Sequence, residues 1–256
     1  MHMIPEELVP QVNRLVSTLR MIVGDDIAVV IHGSVALGDY QPGRSDLDVL
    51  VFSQGALTPP QHIQLATTML ELSGLPAPLE ISVIDQALLA EWVHPVPFYF
   101  HYSEDWRTTI QAALADEAHE WIHDRTDADV SAHMMIAHHH GVMVYGEVPL
   151  PLPTPAQALA AVWYDIADAE EQVVSSPEYV ILNLCRTIRW LEHGEVHSKG
   201  SAGETMVSAL AEPDRTVVSC MCAMRRGEVV VLPDATELRR VARRLLERIQ
   251  ARISLD

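Results

Sequence analysis

The sequence predicts an α/β domain over residues 1–150, followed by an all-α domain over residues 151–256. Three observations carry this. Apolar runs of strand length recur early, at Ile27 to Ile31, Val49 to Phe52 and Leu79 to Asp85, with helical patterns between them. The stretch 144–157 then carries prolines at 149, 151, 153 and 155, which no helix can continue through and which mark a linker. Beyond it the patterns are helical.

The elements follow in order. MHMIPEELVPQVNRLV reads as a helix, with Pro5 near its start, Glu6 and Glu7 in the first turn, and Leu8, Val12, Leu15, Val16 and Leu19 behind. Without a basic region ahead of an apolar core, this segment is not expected to be a signal peptide. The strand ending at Ile31 leads into Gly33-Ser34, a small turn that lets backbone N–H groups approach phosphate oxygens. Eleven residues separate Ser34 from Asp46, which stands with Asp48 at the head of the next strand. Residues two apart on a strand face the same side, so these carboxylates project together. Two anions that cannot pair call for a divalent cation, Mg²⁺ carrying a nucleoside triphosphate. Leu57 to Leu75 reads as a helix opened by Pro59 and Pro60 and closed by Gly74. In LEISVID, residues 79–85, Leu79, Ile81 and Val83 alternate with Glu80, Ser82 and Ile84. Glu80 is thus a third carboxylate, on a strand able to lie beside that of Asp48.

In the second part, Ala156 to Val174 predicts one helix, broken by Ser175, Ser176 and Pro177. Tyr179 to Leu191 predicts another, ended at Gly194. Leu210 to Arg226 and a basic amphipathic helix over Thr236 to Ile253 complete the set.

Composition bounds the function. A net charge of −18 disfavours a nucleic-acid partner and favours a cationic small molecule drawn to a negative cleft, although acidity also serves solubility. Hydrophobic residues make up 48% of the chain, enough for a sizeable core, yet no apolar run reaches membrane-span length, so no membrane partner is expected. Three cysteines, Cys185, Cys220 and Cys222, without zinc-type spacing predict a reducing, cytoplasmic location. His138, His139 and His140 are consecutive, so on a helix their side chains diverge by about 100° each and cannot chelate one ion together. His32, directly before Gly33-Ser34, lies near any bound triphosphate.

Strand, Gly-Ser, short helix and Asp-x-Asp strand, in that order, resemble the nucleotidyltransferase superfamily with its polymerase-β-like fold. FYFHYSEDWR at 98–107 and ILNLCRTIRWLEHGEVHSKG at 181–200 narrow the likeness. With them, most of the chain resembles the aminoglycoside adenylyltransferases that modify streptomycin and spectinomycin. The resemblance implies a nucleotidyltransferase domain with a mixed sheet and a C-terminal helical bundle. It implies ATP and Mg²⁺ as cofactors and a cationic aminocyclitol or aminoglycoside antibiotic as partner; a monomer is expected.

By the same resemblance, Gly33, Ser34 and Ser45 contact the triphosphate, and Asp46 and Asp48 hold magnesium. Glu80 is the base, a further metal ligand and a substrate contact. Trp106 touches the antibiotic, and Arg186 and Lys199 reach the nucleotide phosphates. Taken alone, Arg186 is a helix-surface charge, Lys199 a loop lysine and Trp106 a core residue. Streptomycin-modifying members hold that drug with a Trp and an Asp. The corresponding positions fall near Ala167 and Gln172, and neither residue can do this. Trp163 and Asp165, one turn away, serve only in a shifted register. Tyr179 replaces a family His, leaving Glu178 as the remaining acid there. The implied activity is transfer of AMP to a hydroxyl of spectinomycin, with streptomycin in doubt. The alternatives are a nucleotidyltransferase acting on a protein or another hydroxylated molecule, and a silent nucleotide-binding regulator.

Overall fold

The computed structural model describes residues 4–116 and 125–254. Met1 to Met3, at the head of the segment read as the first helix, lie outside them. The chain forms two compact units, residues 1–161 and 162–256.

The first unit opens with a 3₁₀ turn, Glu6–Leu8, rather than continuous helix. Pro10 then sits in the first turn of α1 (Val9–Val23), where its missing N–H costs nothing. β1 (Ile27–Ile31), the one-turn α2 (Gly33–Ala36) and β2 (Leu47–Ser53) follow. Next are α3 (Pro59–Leu72), opened by a Thr58/Gln61 capping box, and β3 (Leu79–Asp85). β4 (Val96–Phe98), β5 (Phe100–Tyr102), α4 (Arg107–Ala115), β6 (Arg125–Asp127), α5 (Val130–His140) and β7 (Val142–Tyr145) complete the domain core. The main sheet has the order β5-β3-β2-β1-β7, and β4 pairs with β6 apart from it. β2 and β3 run parallel while every other neighbouring pair is antiparallel, so the sheet is mixed.

Period-two alternation sorts the side chains. Val29, Ile31, Val49, Val51, Ile81 and Val83 join residues of α1 and α3 in one core. Ala28, Val30, Leu50, Phe52 and Ile84 face the other way, against Val130, Met134 and Ala137 of α5. Both faces of the central strands are therefore buried, which explains their unbroken apolar runs. Gln11 is buried with its amide spent on the Leu72 and Ala77 carbonyls at 3.0 and 2.7 Å, tying α1 to the α3–β3 corner.

α6 (Pro155–Ile166) runs across the division between the units. The helix expected over Ala156 to Val174 is interrupted at Ala167-Asp168, and the separate turn α7 (Ala169–Gln172) starts with Asp168 at its N-cap. α8 (Pro177–His193) ends at Gly194, whose φ of +69° is the left-handed cap glycine permits. α9 (Lys199–Ala209) was not expected. It contains Gly200 and Gly203, poor helix formers, but Ser198 caps its first turn through Ser201 N–H at 3.1 Å. Gly203 is needed for contact, because a Cβ there would lie 2.6 Å from Leu182 and 2.7 Å from the Cys222 sulfur. α10 (Asp214–Arg225) and α11 (Ala235–Ile253) close the bundle around Leu184, Ile188, Val217, Val218, Val241 and Leu245.

Candidate active site

In the first unit, polar groups gather at one end of the α5-facing side of the sheet. β2 and β3 run parallel in a register that pairs Asp48 with Glu80. The two carboxylates therefore stand side by side on adjacent strands. β1 ends at Ile31, and the next residue, His32, donates its N–H to the Asp48 carbonyl at 3.0 Å. The chain then turns through Gly33 at φ +59°, and Ser34 N–H points to Asp48 Oδ2 at 3.4 Å. A Cβ on Gly33 would lie 1.7 Å from that oxygen, so only glycine lets the carboxylate seat against the turn. Among the described residues, Ser34 Oγ is buried without a hydrogen-bond partner, as is His32 Nδ1. Buried polar atoms are rarely left so, and an oxygen-rich ligand would satisfy the serine.

Asp46 is exposed, one residue before β2. Ser45 is buried, and its hydroxyl accepts from Gln41 N–H at 3.0 Å, so it shapes the loop that delivers Asp46. Among the described residues, no three His, Cys, Asp or Glu side chains form a closed metal cage. Mg²⁺ does not need one: it keeps several waters and takes one or two carboxylates together with substrate phosphates. The hard oxygens of Asp48 and Glu80 in adjacent register fit that requirement.

Histidines surround Glu80. His133, from α5, brings Nε2 to 3.8 Å from Glu80 Oε1. Burial opposes its protonation, but Glu80, Asp129, Asp48 and Asp127 prevail and hold its pKa above the ordinary histidine value. His32 packs on it with ring centroids 4.9 Å apart. Burial, and then His133, push His32 well below the usual histidine pKa, so it is neutral. His101 on β5 meets Ser82 through Nδ1 at 3.0 Å, and burial lowers its pKa against the pull of Glu80 and Asp127. Trp106 stands edge-on to His101 at 6.0 Å, and the Arg125 guanidinium lies 5.1 Å from its ring centre.

The second unit holds a separate polar group. Tyr179, Asn183 and Arg186 lie at i, i+4 and i+7 on one stripe of α8. All three turn to Asp165 of α6: Tyr179 O–H donates to Oδ1 at 2.7 Å, Asn183 Nδ2 to Oδ2 at 2.5 Å, and Arg186 Nη2 sits 3.8 Å from Oδ2. Lys199, the first residue of α9, places Nζ 4.2 Å from the Tyr179 ring centre.

Two sequence segments match models of known families. Residues 12–76 match the nucleotidyltransferase domain, and residues 151–248 match the C-terminal domain of aminoglycoside adenylyltransferases. The chain thus joins a nucleotidyltransferase domain to a C-terminal domain of the aminoglycoside adenylyltransferase type. Spectinomycin 9-adenylyltransferases of Staphylococcus aureus strains Mu50 and N315 are each 24% identical over 232 residues, covering 84% of this chain and 85% of theirs. In fold, the chain resembles a crystal structure of spectinomycin adenyltransferase AAD(9) from Enterococcus faecialis with ATP and spectinomycin. That match has a TM-score of 0.79 at 19% identity and covers 94% of this chain and 98% of the other.

Against the family pattern, the residues sort as follows. Gly33, Ser34, Asp48 and Glu80 come together in the first unit, with Asp46 at its edge. Arg186, Lys199 and Asp165 come together in the second. Trp163 and Asp165 have different surroundings. Two residues apart on a helix, they point in different directions: Asp165 meets α8, while Trp163 lines an open cleft of about 590 Å³ with Ala167, Glu171 and Arg239. Glu178 is buried, with Oε1 3.4 Å from Arg225 Nη1. His133 and Asn183 escaped sequence reasoning. Each depends on a partner far away in sequence, and the only available signal was helical phase: Asn183 shares its stripe with Arg186.

Proposed function

We propose that the protein transfers AMP from Mg-ATP to a hydroxyl group of spectinomycin, an aminocyclitol antibiotic, in the cytoplasm and as a monomer. The observation that carries this reading is the in-register pair Asp48 and Glu80, seated against the Gly33-Ser34 turn. The named activity of the spectinomycin adenylyltransferase relatives supports the choice of acceptor. A negative charge of −18 suits a cationic acceptor, and the three cysteines, present as thiols, suit a reducing compartment.

The chemistry follows from charge. An alcohol oxygen of the antibiotic attacks the α-phosphorus of ATP, a new O–P bond forms, the α–β bridge bond breaks and pyrophosphate leaves. A neutral alcohol is a weak nucleophile, so its proton passes to Glu80 as general base. Asp46 and Asp48, with Glu80 beside them, would hold Mg²⁺, which would screen the phosphate charge. Backbone N–H at Ser34 and its hydroxyl, together with Gly33, cradle phosphate oxygens, and Ser45 orders the loop beside them. Arg186 and Lys199 offset the charge that builds on the leaving pyrophosphate. Trp106 contributes a flat apolar wall for the acceptor. Streptomycin is a poor substrate on this reading. Ala167 and Gln172 cannot supply the aromatic and acidic contacts, Asp165 is already engaged, and Glu178 is paired with Arg225.

The test is pyrophosphate release from Mg-ATP with spectinomycin and streptomycin supplied separately. Release with spectinomycin alone is expected, and it should vanish in Asp48→Asn. ATP binding with no release for either drug would refute the acceptor assignment while leaving nucleotide binding intact. Substantial turnover by Asp48→Asn would remove that residue from the metal site.

A further inference from the structure

The contacts of Asp165 point to a role that differs from drug binding. Both carboxylate oxygens accept short hydrogen bonds, one from Tyr179 and one from Asn183, and the second also faces Arg186. All three partners lie on one stripe of α8, so one carboxylate on α6 fixes the rotamers of the whole stripe. The effect extends one step further. Holding the Tyr179 hydroxyl fixes its ring, and the ring carries the Lys199 ammonium at 4.2 Å.

From this geometry we infer that Asp165 is a positioning residue for the nucleotide: it presets Arg186 directly, and Lys199 through Tyr179, before ATP arrives. Arg and Lys side chains are long and lose rotamer freedom when they clamp a phosphate. A carboxylate that has already ordered them removes part of that cost at binding. Two of the carboxylate's roughly four acceptor positions are taken by Tyr179 and Asn183, and Arg186 faces it as a third partner. The inference rests on the proposal above that Arg186 and Lys199 bind ATP.

The experiment compares wild type, Asp165→Asn and Tyr179→Phe. Asparagine keeps the size and one acceptor but loses the charge facing Arg186. Phenylalanine keeps the ring beneath Lys199 and removes only the hydroxyl. ATP affinity is measured calorimetrically without antibiotic, and the KM for spectinomycin at saturating ATP. Asp165→Asn should weaken ATP binding by about tenfold, the scale of one charge-assisted hydrogen bond. Tyr179→Phe should weaken it less, and the spectinomycin KM should hardly move in either. In an Arg186→Ala background, the Asp165→Asn effect should largely disappear, since the two residues act as one unit. A raised spectinomycin KM with unchanged ATP affinity would overturn the inference in favour of a drug contact. An effect of full size in the Arg186→Ala background would overturn it in favour of a general packing role. Wild type that binds ATP but fails to modify spectinomycin refutes only the acceptor, and the ATP arm still decides. Wild type that does not bind ATP overturns both.

Discussion

At position 33 a single methyl group controls whether the carboxylate of Asp48 can occupy its seat. An alanine Cβ would sit 1.7 Å from Oδ2, and the φ of +59° is itself unfavourable for any side chain. The carboxylate must move away from the turn or the turn must open, and both displace it from the position proposed for the metal and phosphate. Gly33→Ala should therefore lower kcat by roughly a hundredfold or more, the scale of a misplaced catalytic group. The melting temperature should change far less, because the cores on either face of the sheet do not include this position. Steady-state turnover beside a thermal melt checks both halves. A second residue tests electrostatics away from the site. Arg107, opposed by burial and helped by Ser73 and Tyr102, holds the Glu104 carboxyl down at about 2. A carboxyl depressed in the folded state adds stability above its unfolded pKa, and that stability is lost as pH falls through the folded value. Glu104 is 41% exposed, so screening reduces its contribution to roughly 1 kcal/mol. Glu104→Gln should be less stable than wild type at neutral pH, and the gap should close between about pH 4 and pH 2 in urea titrations. Of these residue-scale features, Gly33 and Asp48 were readable because the motif is nearly contiguous in sequence. The Gly33–Asp48 contact and the His133–Glu80 approach were not, because both are made by the fold.

Elements show the same division on a larger scale. The central strands announced themselves by apolar runs buried on both faces, and α11 by its amphipathic period. The short strands β4 to β7 carry three or four residues each, too few for a period to emerge. α9 was hidden by its glycines, whose use is close approach to Leu182 and Cys222 rather than helix propensity. Glu178 looked like an acid available at the start of α8. The structure instead buries it against Arg225 of α10, 47 residues on. Removing one partner of a buried ion pair deprives the other of its compensating charge, at about 3–5 kcal/mol. Glu178→Ala and Arg225→Ala should each lower the denaturation midpoint by that scale. Replacing both with Met should recover most of the loss, because an apolar pair of similar volume carries no desolvation penalty. Chemical denaturation of the three variants decides this. If Glu178→Ala instead keeps wild-type stability and loses spectinomycin affinity, the pair is not what holds α8 to α10.

For the whole molecule the dominant quantity is charge: 35 acidic against 17 basic side chains. Such a field acts with opposite sign on the two proposed substrates. It concentrates a cationic aminocyclitol near the protein and repels anionic Mg-ATP. For ATP, the proposed phosphate contacts Arg186 and Lys199 would work against the global repulsion, so the net long-range effect should be small. The antibiotic has no such opposition. Added salt shortens the reach of the field from about 30 Å at 0.01 M to about 3 Å at 1 M. Raising ionic strength across that range should therefore increase the spectinomycin KM several-fold, while the ATP KM stays level or falls and kcat changes little. The pattern of signs is the informative part. A general loss of folded protein would lower apparent activity for both substrates together, and a purely contact-driven drug site would leave the spectinomycin KM flat. Steady-state kinetics in each substrate over a potassium chloride series separates these outcomes. A flat spectinomycin response would mean that the acidity of the chain serves solubility, and that recognition of the antibiotic begins only at contact.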